Sequence, residues 1–421
     1  MSDPGRTLEE TFRRESGRML STLIGLLGDF DLAEEALQEA ASVALTVWRR
    51  DGAPQNPRAW LIATARNRAI DRLRRDANLA RKLSGLAPGI ESTVTAPELP
   101  PDSPLEATDD RLRLLFTCCH PALAAEAQIA LALRTLCGLS TEEIARAFLT
   151  PVPTMQQRLV RAKSKIRDAR IPYRVPEGES EIEQRLDAVL QVIYLVFNEG
   201  YKASAGSDLV RVDLCHEAIR LGRLLTALLP GRPEAIGLLA LMLLQDSRRS
   251  ARFDGRGDLI RLAEQDRSLW DRDAIREGLA LVEEALRLAK RPRPFALQAA
   301  IASVHARAAT AAETEWREIV GLYDLLLAVE PSPVVALNRA VALAATADEE
   351  GEAPLHAALA EIERLRRDGR LAAYYLLPAV EGDLLLRLGR RDDARRAFAE
   401  ALELVATEPE RRFLAGRLAD C

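Results

Sequence analysis

The sequence predicts an all-α protein, and its composition and length are the observations behind this prediction. Apolar residues make up 48% of the 421 residues, whereas aromatic residues make up only 5%. Ala, Leu and Arg recur throughout; they are strong helix formers, and the β-branched and aromatic residues typical of strands are scarce. Because the chain is too long for one small core, its length predicts two or three domains. The patterns described below divide it into two small helical domains, a linker and a long helical-repeat domain.

The cysteines and the lack of long apolar runs indicate a cytoplasmic protein. No run approaches the roughly 18 apolar residues that would span a bilayer, and the start of the chain lacks a signal-peptide pattern. The five cysteines form no CxxC pair, which suits reduced thiols. Cys118, Cys119 and His120 carry zinc-donor groups, but three consecutive side chains cannot easily converge on one ion. We interpret them as buried, small apolar side chains at the end of a helix stopped by Pro121, and we predict no metal and no cofactor.

The net charge of −5 is distributed unevenly. Residues 1–170 hold 24 Lys and Arg against 22 Asp and Glu, and residues 171–421 hold 34 against 41. Residues 58–82 carry eight basic and two acidic residues, and residues 153–170 carry six basic residues and one acidic residue. Between these basic segments, residues 83–110 contain five prolines and six acidic residues but no Lys or Arg. Such a segment is typical of a linker.

The first predicted domain, residues 6–82, contains an acidic helix and a basic helix. Residues 30–48 have apolar residues at helical spacing, and Asp29 or Asp31 is a natural N-cap. A solvated face with favourably placed acidic residues is the simpler interpretation of its negative start. The candidate partner-binding residues of this helix are Asp31, Glu34, Glu35, Gln38 and Glu39.

The basic helix, residues 58–75, divides into an apolar stripe and a basic surface. We expect Trp60, Leu61, Ala65, Ala69, Ile70 and Leu73 to form the stripe. Arg neutralises phosphates and Asn pairs with base edges, so eight positive charges in 25 residues favour a nucleic-acid partner over a merely solvated helix. The candidate residues are Trp60, Arg66, Asn67, Arg68, Asp71, Arg72, Arg74 and Arg75.

These segments resemble region 2 of the extracytoplasmic-function (ECF) group of sigma-70 RNA polymerase initiation factors. The family pattern is approximately AED-x-x-Q, P-x-x-WL and A-x-N-x-x-x-D-x-x-RR. The chain has Ala33-Glu34-Glu35 with Gln38, Pro57 with Trp60-Leu61, and Ala65, Asn67, Asp71 and Arg74-Arg75; Glu35 stands where Asp is usual. The resemblance implies that the acidic helix docks on the β′ clamp of core RNA polymerase. It also implies that residues 57–75 hold the melted −10 strand.

The second predicted domain, residues 111–170, contains a helix-turn-helix. Gly138 ends one apolar helix, Ser140 and Glu143 form a capping box for the next, and a turn at 150–153 precedes the last helix. Leu159, Ala162 and Ile166 are expected to hold that helix to the core. A recognition helix presents amides and guanidinium groups to base edges and basic residues to phosphates. The candidate residues are Thr154, Gln156, Gln157, Arg158, Arg161, Lys163 and Lys165.

GLSTEEIA followed by TMQQRLVRAK resembles ECF region 4. Met155 replaces the usual Val, and the turn has two prolines where the family often has a small polar residue. The resemblance implies −35 recognition by residues 153–167 and contact with the β flap of polymerase. In the family the tether between these domains passes the active centre, a basic environment that suits a net −6 linker. An ordinary disordered tether explains this charge equally well.

The third predicted domain, residues 181–421, consists of helices separated by proline pairs. Its clearest repeat is at 382–409, where Leu385, Leu388-Gly389, Ala394, Phe398 and Ala401 resemble a tetratricopeptide (TPR) pattern, and a weaker copy lies at 318–344. Hairpins that bury their apolar faces only against neighbours predict a solenoid. The whole chain resembles an ECF subgroup in which such a TPR-like domain stands where other members use an anti-sigma protein.

Residues 194–201, 252–273 and 313–324 do not follow the repeat pattern. The second of these is rich in charge and could form a catalytic or metal-binding cluster, but no ligand spacing, nucleophile elbow or phosphate loop accompanies it. Structural ion pairs and caps explain most of it; a contact site for the sigma domains, polymerase or a small ligand is the other interpretation. The candidate contact residues are Asp254, Arg256, Asp266, Arg267 and Trp270.

We therefore expect a sigma factor that directs core RNA polymerase to promoter DNA and is not itself an enzyme. The acidic C-terminal domain is expected to regulate it in cis through contact with the sigma domains. One rival hypothesis is a stand-alone helix-turn-helix regulator with a TPR sensor domain, which leaves the acidic helix and Trp60 unexplained. A second rival is an enzyme with its chemistry at 252–273.

Overall fold

The computed structural model describes residues 4–84, 104–148, 150–201, 212–255 and 257–421. Within these ranges the chain forms nineteen α-helices, and the strand-like pairing is a single bridge between Phe253 and Leu259. The predicted all-α class is therefore confirmed. The chain divides into two compact units, Met1–Leu224 and Leu225–Cys421. The finer division into four segments, at 6–82, 83–110, 111–170 and 181–421, remains a prediction.

The first unit contains eight complete helices and most of a ninth. They are α1 (Pro4–Leu27), α2 (Phe30–Asp51), α3 (Pro57–Ser84), α4 (Pro104–Cys118), α5 (Ala125–Thr135), α6 (Thr141–Ala147), α7 (Val152–Asp168), α8 (Glu179–Tyr201) and α9 (Val212–Leu228). The helices α1, α2 and α3 pack on one another, and α4 to α7 form a second group that α8 joins through α5 and α4. The last residues of the predicted linker, from 104 onward, are part of α4.

Local sequence signals explain where the helices of the first unit begin and end. Asp29 is the N-cap of α2, because its side chain accepts a hydrogen bond from the Leu32 N–H at 2.9 Å. Gly52 ends α2 with φ of +85°, a backbone conformation that strongly favours glycine. Trp48 is fully buried beneath α3, and its ring meets Trp60 edge-on at 5.4 Å between centroids.

A buried ion pair joins α9 to the second helical group. The Arg111 side chain of α4 is 4% exposed and pairs with Glu217 of α9. Arg220 also binds Glu217, at 2.8 Å, so the carboxylate is shared by two guanidinium groups. These cations lower the pKa of Glu217 although burial opposes the ionised form. The helices α8 and α9, which begin the predicted C-terminal domain, thus lie in the first compact unit.

The second unit continues with ten helices. They are α10 (Pro233–Asp246), α11 (Arg272–Leu288), α12 (Pro294–Arg307), α13 (Trp316–Val329), α14 (Pro333–Ala345), α15 (Ala347–Glu350), α16 (Ala353–Asp368), α17 (Leu376–Arg387), α18 (Arg391–Leu404) and α19 (Glu408–Ala419). The second proline of each predicted pair opens a helix: Pro233, Pro294 and Pro333 are the first residues of α10, α12 and α14. The first helical position tolerates proline because its N–H would have no partner within the helix.

Contacts in the second unit run mainly between neighbouring helices, as a solenoid requires. Each of α10 to α19 packs chiefly on helices one or two positions away along the chain. The 382–409 repeat is confirmed as the hairpin α17–α18, with Phe398 and Ala401 buried. Gly382 permits this close pairing, because a Cβ there would lie 2.8 Å from the Phe398 ring. The predicted helical-repeat architecture is confirmed.

Candidate nucleic-acid interface

The acidic surface of α2 consists of the predicted residues on its solvent side. Asp31, Glu35, Gln38 and Glu39 are exposed, and Glu34 is half-buried. Ala33, Ala36, Leu37 and Ala40 face the core and orient the helix. Exposure leaves several carboxylates in position to meet a basic partner.

The basic surface of α3 lies opposite a buried stripe. Leu61, Ala65 and Ala69 are buried, so the polar residues between them face outward. Trp60 and Arg66 are partly exposed, and the more exposed members are Asn67, Arg68, Asp71, Arg72, Arg74 and Arg75. This places an amide and four guanidinium groups on the exposed surface of one helix.

The prediction for Leu73 is wrong. Leu73 is 47% exposed, Ile70 is only half-buried, and Ala69 is the last buried residue in the part of α3 whose side chains are described, which ends at Arg75. At Leu73 neighbouring helices therefore no longer cover the apolar stripe. Periodicity identified the correct face of the helix but not the length over which neighbours cover it.

An ion pair links the acidic and basic surfaces. Arg72 of α3 donates to the Glu35 carboxylate of α2, and both side chains are about half exposed. A pair this exposed contributes about 0–1 kcal/mol to stability, so it holds the two surfaces together only weakly.

The helix-turn-helix is built on the predicted capping box. The Ser140 N–H donates to Glu143 Oε2 at 2.6 Å, and the Glu143 N–H donates to Ser140 Oγ at 3.2 Å. Met155, Leu159, Ala162 and Ile166 are buried, which fixes the rotation of α7. The turn before α7 is shorter than predicted, because the helix already begins at Val152 and Pro153 fits its first turn.

Most of the predicted recognition residues of α7 lie on its exposed face. Two basic residues are instead held by other parts of the first unit. Arg158 binds Glu126 of α5 at 2.7 Å and lies over the Phe148 ring. Lys163 binds Asp31 and Glu34 of α2, at 3.2 and 2.6 Å. The residues that remain exposed are Thr154, Gln156, Gln157, Arg161 and Lys165.

The candidate contact residues of 252–273 do not form one cluster around a shared centre. Asp254 organises a tight turn, since its Oδ1 accepts the Asp258 N–H at 2.8 Å. Asp266 caps the short 3₁₀ helix Arg267–Leu269 by accepting the Ser268 N–H. Hydrogen bonding to the Ser268 side chain, and then to its N–H, lowers the pKa of Asp266. Arg267 and Trp270 are brought together, with the guanidinium 4.9 Å from the ring centroid. Arg256 lies outside the described residues.

Arg267 is a buried cation whose donors are used to bind backbone. Its side chain donates to the carbonyl oxygens of His305 at 2.7 Å and Ala308 at 2.6 Å, at the end of α12, and to Thr314 Oγ1 at 3.3 Å. Carbonyls at a helix C-terminus lack partners within the helix, and a cation there is also stabilised by the negative end of the helix dipole. Burial lowers the pKa of Arg267, but the group stays protonated.

The cysteine and histidine side chains singled out in the sequence are buried or hydrogen-bonded. Cys118 and Cys119 are buried, as predicted, and burial raises the pKa of Cys118 to about 12. His120 accepts the Ala122 N–H at Nδ1. Among the described residues, no group of three or more His, Cys, Asp or Glu is arranged to hold a metal ion.

Three segments of the chain match known protein families. Residues 11–78 match Sigma-70 region 2, and residues 113–166 match Sigma-70, region 4. These ranges contain the α2 and α3 surfaces and the helix-turn-helix described above. The chain belongs to the sigma-70 family of sigma factors. Residues 185–286 of this sigma factor match a family of unknown function, DUF6596.

The sigma factor is similar over nearly its whole length to a protein of Rhizobium meliloti that is described as uncharacterized. The two are 45% identical over 412 residues, which cover 94% of this chain and 91% of the relative. Among solved structures, the crystal structure of yeast Tom70 aligns with 99% of this chain and 85% of its own, at 13% identity and a TM-score of 0.39. No described helix of the sigma factor is long and apolar enough to cross a membrane.

Sequence reasoning missed the residues that join the two sigma regions. Arg134 of α5 approaches Glu34 at 3.5 Å, and Tyr173, which follows α7, reaches the Ser21 carbonyl of α1 at 2.9 Å. Gly17 of α1 was a detectable signal of this contact, because it lies against the backbone of Leu136. Glycine inside a long helix is unfavourable by about 1 kcal/mol, so its presence there indicates close packing. The ion-pair partners had no such signal, since they are far apart in the sequence.

Proposed function

We propose that this sigma-70 family member is an ECF-type factor that docks on the β′ clamp of core RNA polymerase through the acidic surface of α2. Asp31, Glu34, Glu35, Gln38 and Glu39 would carry this contact. The exposure of four of these side chains supports the proposal. Residues 111–170 would add a contact with the β flap.

The basic surface of α3 would hold the melted non-template strand of the −10 element. Trp60 and Asn67 offer a stacking surface and a base-edge amide, and Arg66, Arg68, Arg72, Arg74 and Arg75 offer phosphate contacts. Asp71 would help to orient neighbouring basic side chains. The observation that carries the function is this surface lying beside the acidic surface of α2, because a DNA-binding regulator that never joins polymerase has no need for the pair.

The exposed face of α7 would read the −35 element. Gln156 and Gln157 lie near the N-terminus of the helix, where recognition helices contact base edges, and Arg161 and Lys165 continue along it for phosphates. Thr154 would complete the contact at the first turn. Arg158 and Lys163 can take part once their present carboxylate partners release them.

The C-terminal region would regulate initiation in cis, and the protein would work in the cytoplasm without catalysing a reaction. The net charge of −7 over residues 171–421 supports an interaction with basic surfaces of the sigma regions. Asp254, Arg256, Asp266, Arg267 and Trp270 lie in the segment proposed to carry such a contact. Arg267 and Trp270 are buried, so they would support this contact by holding the shape of the segment rather than by touching the sigma regions.

Run-off transcription with purified core polymerase tests the proposal. We expect promoter-specific transcripts only when the full chain is added. A DNA-binding regulator would bind the promoter without yielding specific transcripts from core enzyme, and an enzyme would do neither; either result would refute the sigma-factor activity. Genomic transcript mapping after overexpression supplies the promoters.

A truncation tests the regulatory part separately. Removing residues 230–421 keeps α8 and α9, which lie largely in the first compact unit, and circular dichroism checks the folding of the shortened chain. We expect altered output or promoter choice. A folded truncated chain with unchanged transcription from the same promoters would remove cis regulation from the proposal.

A further inference from the structure

Sigma regions 2 and 4 are in direct contact in this structure, and the contact begins at glycine. Gly17 of α1 lies against the backbone of Leu136, just after α5, and an added Cβ would overlap the Leu136 carbonyl group. Gly138 lies equally close to Ser16, and its φ of +67° favours glycine for a second reason. Such close backbone approach is a feature of tightly packed helices and needs a small residue on at least one side.

Tyr173 extends this contact with a shared hydrogen bond. Its hydroxyl oxygen lies 2.9 Å from the Ser21 carbonyl oxygen of α1 and 2.8 Å from the Asp110 carbonyl oxygen of α4, so its proton is shared between the two helices. Ser21 is buried. The ring edge also lies close to Gly25, where an added Cβ would be 3.2 Å away.

The charged surfaces assigned above to polymerase and to DNA neutralise each other beside this contact. Lys163 of α7 is only 11% exposed, because Asp31 and Glu34 of α2 surround its ammonium group. Arg134 adds a guanidinium 3.5 Å from Glu34, and Arg167 adds one 3.7 Å from Asp31. Asp31 and Glu34 of the polymerase-docking surface and two cations of α7, Lys163 and Arg167, are therefore occupied by each other.

We propose that this arrangement is a closed, autoinhibited state in which region 4 covers part of the polymerase-docking surface of region 2. Core polymerase would have to displace Lys163 and Arg134 from Asp31 and Glu34 before α2 could dock, and the same step would free Lys163 for DNA. The inference rests on the proposed docking role of α2.

The forces involved suit a reversible switch. Partly exposed ion pairs each contribute about 1 kcal/mol or less, and the Tyr173 hydrogen bond contributes about 1 kcal/mol. A closed state favoured over the open one by a factor of about ten would weaken polymerase binding by the same factor. A polymerase surface with more basic groups could then open it.

A reversible disulfide tests the closed state. A Cβ at Gly138 would lie 3.5 Å from the Ser16 Cβ, within the range of about 3.5–4.5 Å found in disulfides. The pair Ser16→Cys with Gly138→Cys, made with Cys137→Ala and Cys421→Ala to remove the partly exposed thiols, should therefore cross-link on mild oxidation. A protein with only the Cys137→Ala and Cys421→Ala changes is the matched control.

We expect the oxidised protein to bind core polymerase at least about tenfold more weakly than the same protein reduced, by fluorescence anisotropy. Equal binding by the two forms, or failure of the folded, oxidised protein to cross-link, would overturn the inference while leaving the proposed function intact. Absence of polymerase binding by the reduced protein and by the wild type would instead refute the proposed function, and the inference with it.

Opening the contact should have the opposite effect. Gly17→Ala places a methyl group against the Leu136 carbonyl, whereas Gly321→Ala makes the same helical change in α13, where the added Cβ would have no atom outside its own helix within 4 Å. We expect Gly17→Ala to bind core polymerase several-fold more tightly than Gly321→Ala, with circular dichroism confirming that both fold. Equal affinities of two folded variants would count against the closed state, and the disulfide test remains decisive if Gly17→Ala does not fold.

Discussion

The basic surface of α3 and the segment 252–273 are both rich in charge, and they use it in opposite ways. On α3, Arg68, Arg74 and Arg75 are exposed and point away from the core. In 252–273, Arg267 is 7% exposed and spends its donors on carbonyl oxygens of its own chain. A cluster of charge in a sequence therefore identifies neither a binding site nor a structural element until burial is known.

The largest effect that would sharpen this comparison is expected at Arg267. Arg267→Met keeps much of the side-chain volume but leaves the His305 and Ala308 carbonyls without this donor, which should lower the free energy of unfolding by about 2–4 kcal/mol. Arg276→Met is the control, since Arg276 and its partner Asp273 are exposed; there we expect a change below about 0.5 kcal/mol. Urea unfolding followed by circular dichroism measures both. Similar stability of the two variants would show that Arg267 is not a structural cation.

His305, next to Arg267, should make the stability of the second unit depend on pH. Burial, with Arg248 and Arg267 nearby, lowers the pKa of His305 to about 4, from an ordinary value of 6.5. The unfolded chain therefore takes up a proton on His305 more readily than the folded protein does. The contribution of His305 to the free energy of unfolding is complete above pH 6.5 and is lost as the pH falls towards 4. Between pH 7 and 5 the wild type should lose about 2 kcal/mol more than His305→Phe.

The Phe variant is the appropriate reference because an aromatic ring can keep the edge-on contact with Trp316, 5.2 Å away between ring centroids. Carboxylates that titrate over the same range are common to both proteins and cancel in the difference. Parallel pH profiles for the two proteins would rule out this role of His305.

The exposed charge of α3 should affect transcription rather than stability. Asn67→Ala with Arg68→Ala should reduce promoter opening about tenfold, or about 1.4 kcal/mol, through the loss of base-edge and phosphate contacts. Run-off transcription on duplex and pre-melted templates measures it, and the pre-melted template should recover part of the loss. Arg50→Ala is the control, because Arg50 is exposed on α2 and pairs with its neighbour Asp51. A double variant as active as the control would contradict the −10 assignment.

The smallest effect is expected within α7, where free and paired basic residues lie on one helix. Lys165→Ala should change the free energy of unfolding by less than about 0.5 kcal/mol. It should lower the affinity for −35 DNA a few-fold and reduce the number of counterions released on DNA binding by about one. Arg158→Ala breaks the Glu126 pair and the Phe148 contact, so it should lower stability by about 1 kcal/mol. Thermal unfolding and DNA-binding titrations at two salt concentrations separate the effects. The reverse pattern would invalidate the distinction between free and paired residues.

Much of the candidate site was predictable because its signals are local. The Ser140–Glu143 capping box and the Asp29 N-cap depend on residues three positions apart, and the structure forms both. The buried faces of α2 and α7 followed from helical spacing in the same way. Leu73 shows where this reasoning fails, because spacing says which side of a helix is apolar but not where its neighbours end.

Composition and helical spacing determined the all-α class, and the spacing determined the rotation of α2, α3 and α7. The charge counts along the chain determined the separation of acidic from basic segments. The family patterns at residues 33–38 and 57–75 identified region 2, and those at residues 138–145 and 154–163 identified region 4. Only the tertiary structure decided which charges are free. Lys163 and Asp31 are 132 residues apart in the chain, and Arg267 binds carbonyls about 40 residues away. Periodicity carries no information about such partners, because they are chosen by the packing of whole helices and not by neighbouring residues.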